Sequence, residues 1–400
     1  MQAVPIVEVT LAATTTETAD DDEMDISHRC MMSLLMTSCS QSKSLDHRGH
    51  KSLKDVVLSL DSITFDANST SLQGNFILMD STLMFVDRLY CKIFSYSPST
   101  GELLDTYSGF GQGPDEMTGI VYGSTIRPEN KTAWIMNSSN GVYDFSPETG
   151  HVHYKGIIDF GWKSPTLNDF ESASCYNIME MSDFGVTMTQ MDDSTVMIPL
   201  SLIGRNIEKV NKNRYDKAHI LGLVDTRNLQ VRQLIGRFPD NLKSNPSPFF
   251  DFFDYSVDFK NSRIYTTFAS DSLIYCNDLD GSILYSFGFE PKEINREYTY
   301  GYDTTYEDFK NDISHVGVNT GVFYDSQNGL VFRCSMTDFA SGITKMQIYE
   351  DANLIAELTM PSYFKLLGKI GSKYYGVRFL PVEQGEISYF TIFNFSLNTD

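Results

Sequence analysis

The 400-residue chain is poor in positive charge, with 31 Lys and Arg against 52 Asp and Glu and a formal net charge of -21. Phosphate backbones are held by clustered Lys and Arg, so no nucleic-acid partner is expected. No apolar run approaches the ~18 residues that a membrane-spanning helix requires. Only seven His are present, which leaves imidazole chemistry few bearers. His219 and His315 stand alone. His151-Val-His153 puts two rings on one strand face, but a zinc site needs a third or fourth ligand and none is adjacent. No Ser-His-Asp or Cys-His arrangement stands out, and no cofactor is indicated. Long amphipathic helical patterns are missing too. What is abundant is Tyr and Phe, 22 and 27 residues, and both favour strands. The hydrophobic share of 41% suffices for a sizeable core.

Residues 1–23 are Thr-rich and end in Asp20-Asp21-Asp22-Glu23. His28-Arg29, the apolar run Cys30–Met36 and Thr37-Ser38-Cys39 follow. A weakly basic start, a short apolar stretch and small residues before Cys is the order of an export signal. It resembles a bacterial lipoprotein signal, which implies lipidation at Cys39 and translation from Met24. The expected division is a leader at 1–38, a polar tether at 39–54 and one domain at 55–400.

Repeats organise that domain. Residues 109–117 read G-F-G-Q-G-P-D-E-M. The core of that loop, Gly111-x-x-Pro114-x-Glu116-Met117, recurs as Gly236-x-x-Pro239-x-Asn241-Leu242 and Gly288-x-x-Pro291-x-Glu293-Ile294. Each copy follows a hairpin signal, in which Gly, Asn or Asp sits between alternating apolar runs and tolerates the positive φ of a tight turn. The turn positions Gly101, Gly150, Asn228, Gly281 and Asn353 define units near 50 residues, with insertions in the third and fifth. Residues 362–398 fit a sixth unit, and 55–63 are expected to return and close the ring. Four-stranded units of this length predict an all-β fold, a six-bladed β-propeller.

The glycine loop does not fit a dinucleotide fingerprint, because Pro114 takes the place of the third Gly and no βαβ unit surrounds it. It is expected to be an inter-blade corner, with Gly111, Pro114, Glu116, Gly236, Pro239, Gly288, Pro291 and Glu293 in structural roles. Asp278-Leu-Asp280-Gly281 lacks the spaced oxygens of a calcium loop and reads as a turn. The run Gly109–Met117, followed by Thr118-Gly-Ile, looks like the inter-blade signature of NHL-like propellers. Together with its hairpin and with Leu221-Gly-Leu-Val-Asp-Thr, it resembles the TolB-like six-bladed propeller lipoproteins of Gram-negative bacteria. That resemblance covers about residues 55–400. It implies a fold and a cell-envelope anchor, but no activity. Marks of other propellers, a Ser-x-Asp-x-Gly-x-Thr-Trp box, a Trp-Asp dipeptide or a Tyr-Trp-Thr-Asp repeat, do not occur.

Past Cys39 lie Cys91, Cys175, Cys276 and Cys334. Cys91 and Cys276 fall in blades 1 and 4, across the ring and beyond the ~7 Å Cα reach of a disulfide. Both are expected to be buried free thiols. In an up-and-down propeller the inter-blade connectors share one face with the loops after each second strand. Asp87-Arg88, Asn137–Asn140, Ser270–Ser272 and Thr337-Asp338 occupy those loops. The candidate ligand residues are therefore Arg88, Asn137, Asp271 and Asp338, with Arg333 and Arg378 as channel residues. The aromatic and acidic insert at 298–309 suits either protein or sugar contacts or packing on its own propeller. The expected function is non-catalytic: a monomeric, exported, lipid-anchored binding or scaffold module for a protein, peptide or glycan. The alternative is a propeller hydrolase or lyase with a channel-mouth site, metal-assisted or not.

Overall fold

The computed structural model describes residues 7–9, 46–54, 56–79, 81–127, 131–162, 169–179, 186–202, 212–384 and 387–399. The apolar run 30–36 and Cys39 lie outside them. Six antiparallel blades follow one another around a central channel, as the repeat spacing predicts. Each gives its first strand to the channel wall and its fourth to the rim. The first four blades begin with Gly74–Met79, Val121–Arg127, Thr189–Asp192 and Phe253–Asp258. Blades 5 and 6 begin with Val318–Asp325 and Phe364–Ile370. A short strand, Val186–Thr187, also pairs in parallel with the first strand of blade 2.

The last blade is composite. Val56–Asp66 pairs antiparallel with Ile387–Thr399, from Val56 opposite Thr399 to Asp66 opposite Tyr389. The segment expected to close the ring thus supplies the fourth strand of blade 6, and Val7–Val9 pairs along its outer edge at Leu58–Leu60. This seam removes two sheet edges that would otherwise invite pairing with another chain.

Aromatic rings fill the wedges between blades. Phe65, Phe76, Phe85 and Phe390 bring blades 6 and 1 together, with Phe85 and Phe390 centroids 4.9 Å apart. Phe332, Tyr374 and Phe395 do the same for blades 5 and 6. Each such buried ring is worth roughly 1.5–3 kcal/mol of hydrophobic stabilisation, which is why so much Phe and Tyr is needed for a ring of thin sheets.

The third-to-fourth strand turns fall where the sequence places them. Gly101, Gly150 and Gly281 have φ of +71°, +72° and +84°. In the other two turns the left-handed residue is not the Asn. It is Leu229 in blade 3 and Asp351-Ala352 in blade 5. Asn228 instead accepts the Gln230 N–H through its side chain, and Asn353 accepts the His50 N–H.

Residues 46–54, read from sequence as tether, are a strap along the rim. Asp46 and Arg48 exchange backbone hydrogen bonds with Ser286 on the outer strand of blade 4. Four residues on, His50, Ser52 and Lys54 do so with Leu354 and Ile355 on that of blade 5. The Arg48 guanidinium lies 4.1 Å from the Tyr285 ring centroid, and Lys54 pairs with Glu350 at 2.6 Å. This pairing is mostly through the backbone, so no side-chain alternation announces it.

Candidate functional site

The loop-face residues have local employment. Asn137 is buried, accepts the Ser139 and Gly141 N–H groups and donates to the Thr118 carbonyl. Asp271 is 1% exposed, accepting from the Tyr275 hydroxyl at 2.5 Å, Asn241 Nδ2 at 2.8 Å and the Leu273 N–H. Asp338 accepts from Ser341 N–H and Oγ and from Thr337 Oγ1. Those bonds outweigh its burial and hold its carboxyl below the usual range. Arg88 and Arg378 lie over the Tyr122 and Tyr363 rings.

Arg333 is wholly buried in the second strand of blade 5 rather than on the channel wall. Its guanidinium donates to the Ser272 and Phe289 carbonyls and to Gln347, tying blade 5 to blade 4. None of these six residues lines the central channel. A polar residue ending a second strand is the nearest group to the unpaired N–H donors of the loop that follows, and here it is bound by them.

The three G-x-x-P segments join the last strand of one blade to the first of the next, the second beginning inside Val231–Arg237. Their shared feature is the closing apolar residue: Met117 and Leu242 are buried, and Ile294 is half-buried. The Glu or Asn position varies in use. Glu116 accepts the Gly113 N–H at 2.7 Å, Asn241 donates to Asp271, and Glu293 pairs with Lys345 at 2.7 Å. Pro239 caps a short helix, Asp240–Ser244.

The other candidates behave as structure. His151 pairs with Asp115 at 3.0 Å on the exposed rim of blade 2. Asp278 and Asp280 both accept the Ser282 N–H in their turn. His219 meets Glu171, which also binds Arg237. All four cysteines past Cys39 are buried and free. Burial pushes the Cys91 and Cys334 thiols up to about 11 and about 12, so they are poor nucleophiles. Cys91 precedes the third strand of blade 1, whereas Cys276 lies inside that of blade 4. From the aromatic insert, Tyr298 is buried and Tyr302 donates to the Lys243 carbonyl, while Tyr300 and Tyr306 stay exposed.

The open volume lies elsewhere. A channel of about 840 Å³ runs along the first strands of all six blades. Its wall includes Phe259 and Lys260 from the first turn of blade 4 and Ser326 and Gln327 from that of blade 5. This turn side is one mouth of the channel, whose lining also reaches Gly74 and Phe379 at the connector end. At the second position of their inner strands sit Asp254 on blade 4 and Lys365 on blade 6, both half-buried. Asp254 accepts from Thr187 Oγ1 at 2.5 Å and from the Val322 N–H at 3.1 Å, so the short strand beside blade 2 and the first strand of blade 5 fix its orientation. Burial draws Lys365 below the ordinary lysine range, and the Asp254 carboxylate opposes that.

Near the mouth, Asp325 holds Lys369 at 3.0 Å and Tyr374 at 2.6 Å. Ser124 Oγ and Gln190 Oε1, both on channel-lining residues, have no hydrogen-bond partner among the described residues. Also among the described residues, no three His, Cys, Asp or Glu side chains gather as a metal-holding group.

No family model matches the chain, and neither does any curated protein. Solved structures do. The chain is similar to a member of the DUF4221 family from Bacteroides vulgatus, with TM-score 0.65, 13% identity, and coverage of 87% of this chain and 100% of that one. It is also similar to an inferred exported protein from Bacteroides fragilis, with TM-score 0.50, 10% identity, and coverage of 89% and 99%. At such identities the likeness shows the shared six-bladed propeller fold. A gluconolactonase from Xanthomonas campestris aligns at TM-score 0.44 and 10% identity, too distant to carry chemistry across.

Proposed function

We propose that this protein is a non-catalytic binding module of the cell envelope whose ligand, a segment of a glycan, peptide or protein, enters the central channel. The carrying observation is the channel itself: about 840 Å³, walled by all six blades, with polar groups set mid-strand among apolar neighbours. A pocket of that size with a few oriented polar groups is the usual form of a ligand site. Export, lipidation at Cys39 and kinship with the TolB-like or NHL-like propeller lipoproteins belong to the same reading. They are supported by the order of residues 28–39 and the repeated G-x-x-P corner.

Narrowing the channel tests it. Wild-type protein and Ser124→Trp are screened on the same glycan and peptide arrays. Signals lost in the variant support the channel, and signals that survive it overturn it. For the anchor, Cys39→Ala is expected to shift the protein from membrane to soluble fractions, and unchanged fractionation sinks that part.

A further inference from the structure

We infer that the rim of blades 4 and 5 is held against the membrane, so that the channel axis lies along the lipid surface and the ligand enters from the side. This rests on lipidation at Cys39, as proposed above. The deciding feature is the strap. Were residues 39–54 a loose tether, the domain would hang free, because an extended chain from Cys39 to Val56 reaches about 60 Å.

The strap takes up most of that length. The Arg48 N–H donates to the Ser286 carbonyl at 2.7 Å and the Ser286 N–H to that of Asp46 at 2.9 Å, on the outer strand of blade 4. On the outer strand of blade 5, the Ser52 and Lys54 N–H groups donate to the Leu354 and Ile355 carbonyls, and the Leu354 N–H to that of His50. Past Lys54 the chain enters the closing strand Val56–Asp66. The strap is thus bonded along its length and continues covalently into the ring. Free chain ends at Asp46, at most about 25 Å from the lipid-bearing Cys39. The outer strands form the rim, so an anchor this short draws the rim toward the bilayer rather than either face.

The side chains there suit an acidic protein that must lie on lipid. The chain as a whole carries -21, and anionic headgroups repel such a surface within about 8 Å at physiological salt. Residues 46–54 hold Arg48, Lys51 and Lys54 against Asp46 alone. Arg48 pairs with Asp46 at 2.7 Å and Lys54 with Glu350 at 2.6 Å, so these cations offset the acids of this rim. Leu53 is 52% exposed and offers an apolar side chain to the headgroup boundary. Across the ring, on the outer strand of blade 1, Leu103–Tyr107, the one charged residue is Asp105.

The test uses protein expressed from the full chain, extracted from membranes and reconstituted in vesicles whose headgroups carry a fluorescence quencher. One thiol is introduced by Ser52→Cys on the strap, Asp105→Cys on the far rim, Gln327→Cys at the turn-side mouth or Glu307→Cys on the connector-side helix Tyr306–Ile313, and labelled with a fluorophore. The four cysteines past Cys39 are buried, so the label goes to the new site. Thermal melts check that each variant folds. The Ser52 label is expected to lose most of its emission and the Asp105 label least, with the other two between them and alike.

Strongest quenching at Gln327 or Glu307 puts a face on the membrane and overturns the inference, as do four labels quenched alike. About twenty Gly and Ser residues inserted after Ser40 make the tether slack and should even out the labels; an ordering that outlives the insert overturns the short tether as its cause. Failure of the anchor reads differently. If Cys39→Ala leaves the protein in the membrane fraction, lipidation falls and takes this inference with it. If Cys39→Ala releases the protein while the labels are alike, lipidation stands and the orientation falls.

Discussion

The connector face and the channel carry similar side chains in opposite circumstances. On the connector face, Asn137, Asp271 and Asp338 give their hydrogen-bonding capacity to adjoining loops. In the channel, Ser124, Gln190, Lys260 and Lys365 border open volume. The first set holds blades in shape, and the second lines a channel of about 840 Å³. Polarity at the end of a strand is therefore poor evidence for a ligand site. Polarity in the middle of an inner strand is better evidence, because nothing local requires it there.

That contrast predicts a gradient of stability costs. Arg333→Met should be the largest, roughly 3–5 kcal/mol in denaturant unfolding, because two buried carbonyls and Gln347 lose a charged donor at once. A loss under about 1 kcal/mol would mean that Arg333 does not tie the blades. Asp271→Ala should cost about 2–3 kcal/mol, since three donors from one loop and one connector are left unpaired. If it unfolds like wild type but loses a ligand, the comparison is reversed.

Gly49→Ala probes the rim. Gly49 has φ +93°, and a Cβ there would sit 2.1 Å from the Ala352 carbonyl oxygen. A cost of about 1–3 kcal/mol from backbone strain is expected, with faster proteolysis confined to residues 46–54.

Asp325 separates the two environments by pH. Burial alone would raise its carboxyl, but the Tyr374 hydroxyl, Lys369 and the Gln327 N–H together hold it below the usual range. A depressed folded pKa stabilises above the unfolded value and is lost as pH falls through the folded one. The stability gap between wild type and Asp325→Asn should therefore be full at neutral pH and close below about pH 4. A gap that persists in strong acid would contradict it. Smallest of all is Lys260→Gln, expected within about 0.5 kcal/mol of wild type for an exposed side chain, with its effect reserved for ligand affinity.

Much of the ring was legible because its punctuation is chemical. Gly101, Gly150 and Gly281 mark turns that need positive φ, and the G-x-x-P corners mark handovers between blades. The site was harder. Asn137, Asp271 and Asp338 look like ligand residues in sequence, because capping a loop and facing a ligand call for the same side chains. Asp254 and Lys365 were missed, yet a signal existed. Each is a lone charge beside aromatic or aliphatic residues, in Phe252-Phe253-Asp254-Tyr255 and Phe364-Lys365-Leu366. Which of the two sheet faces such a charge occupies depends on register around the whole ring, and no local pattern supplies it. The strap was invisible because backbone pairing leaves no mark on side-chain order.

The composite last blade has a kinetic consequence. Val56–Asp66 finds its partner Ile387–Thr399 across more than three hundred intervening residues, so the ring cannot shut until its far end has left the ribosome. Until then five blades present open edges at either end of an unfinished arc. Closure is thus a late, single, long-range event.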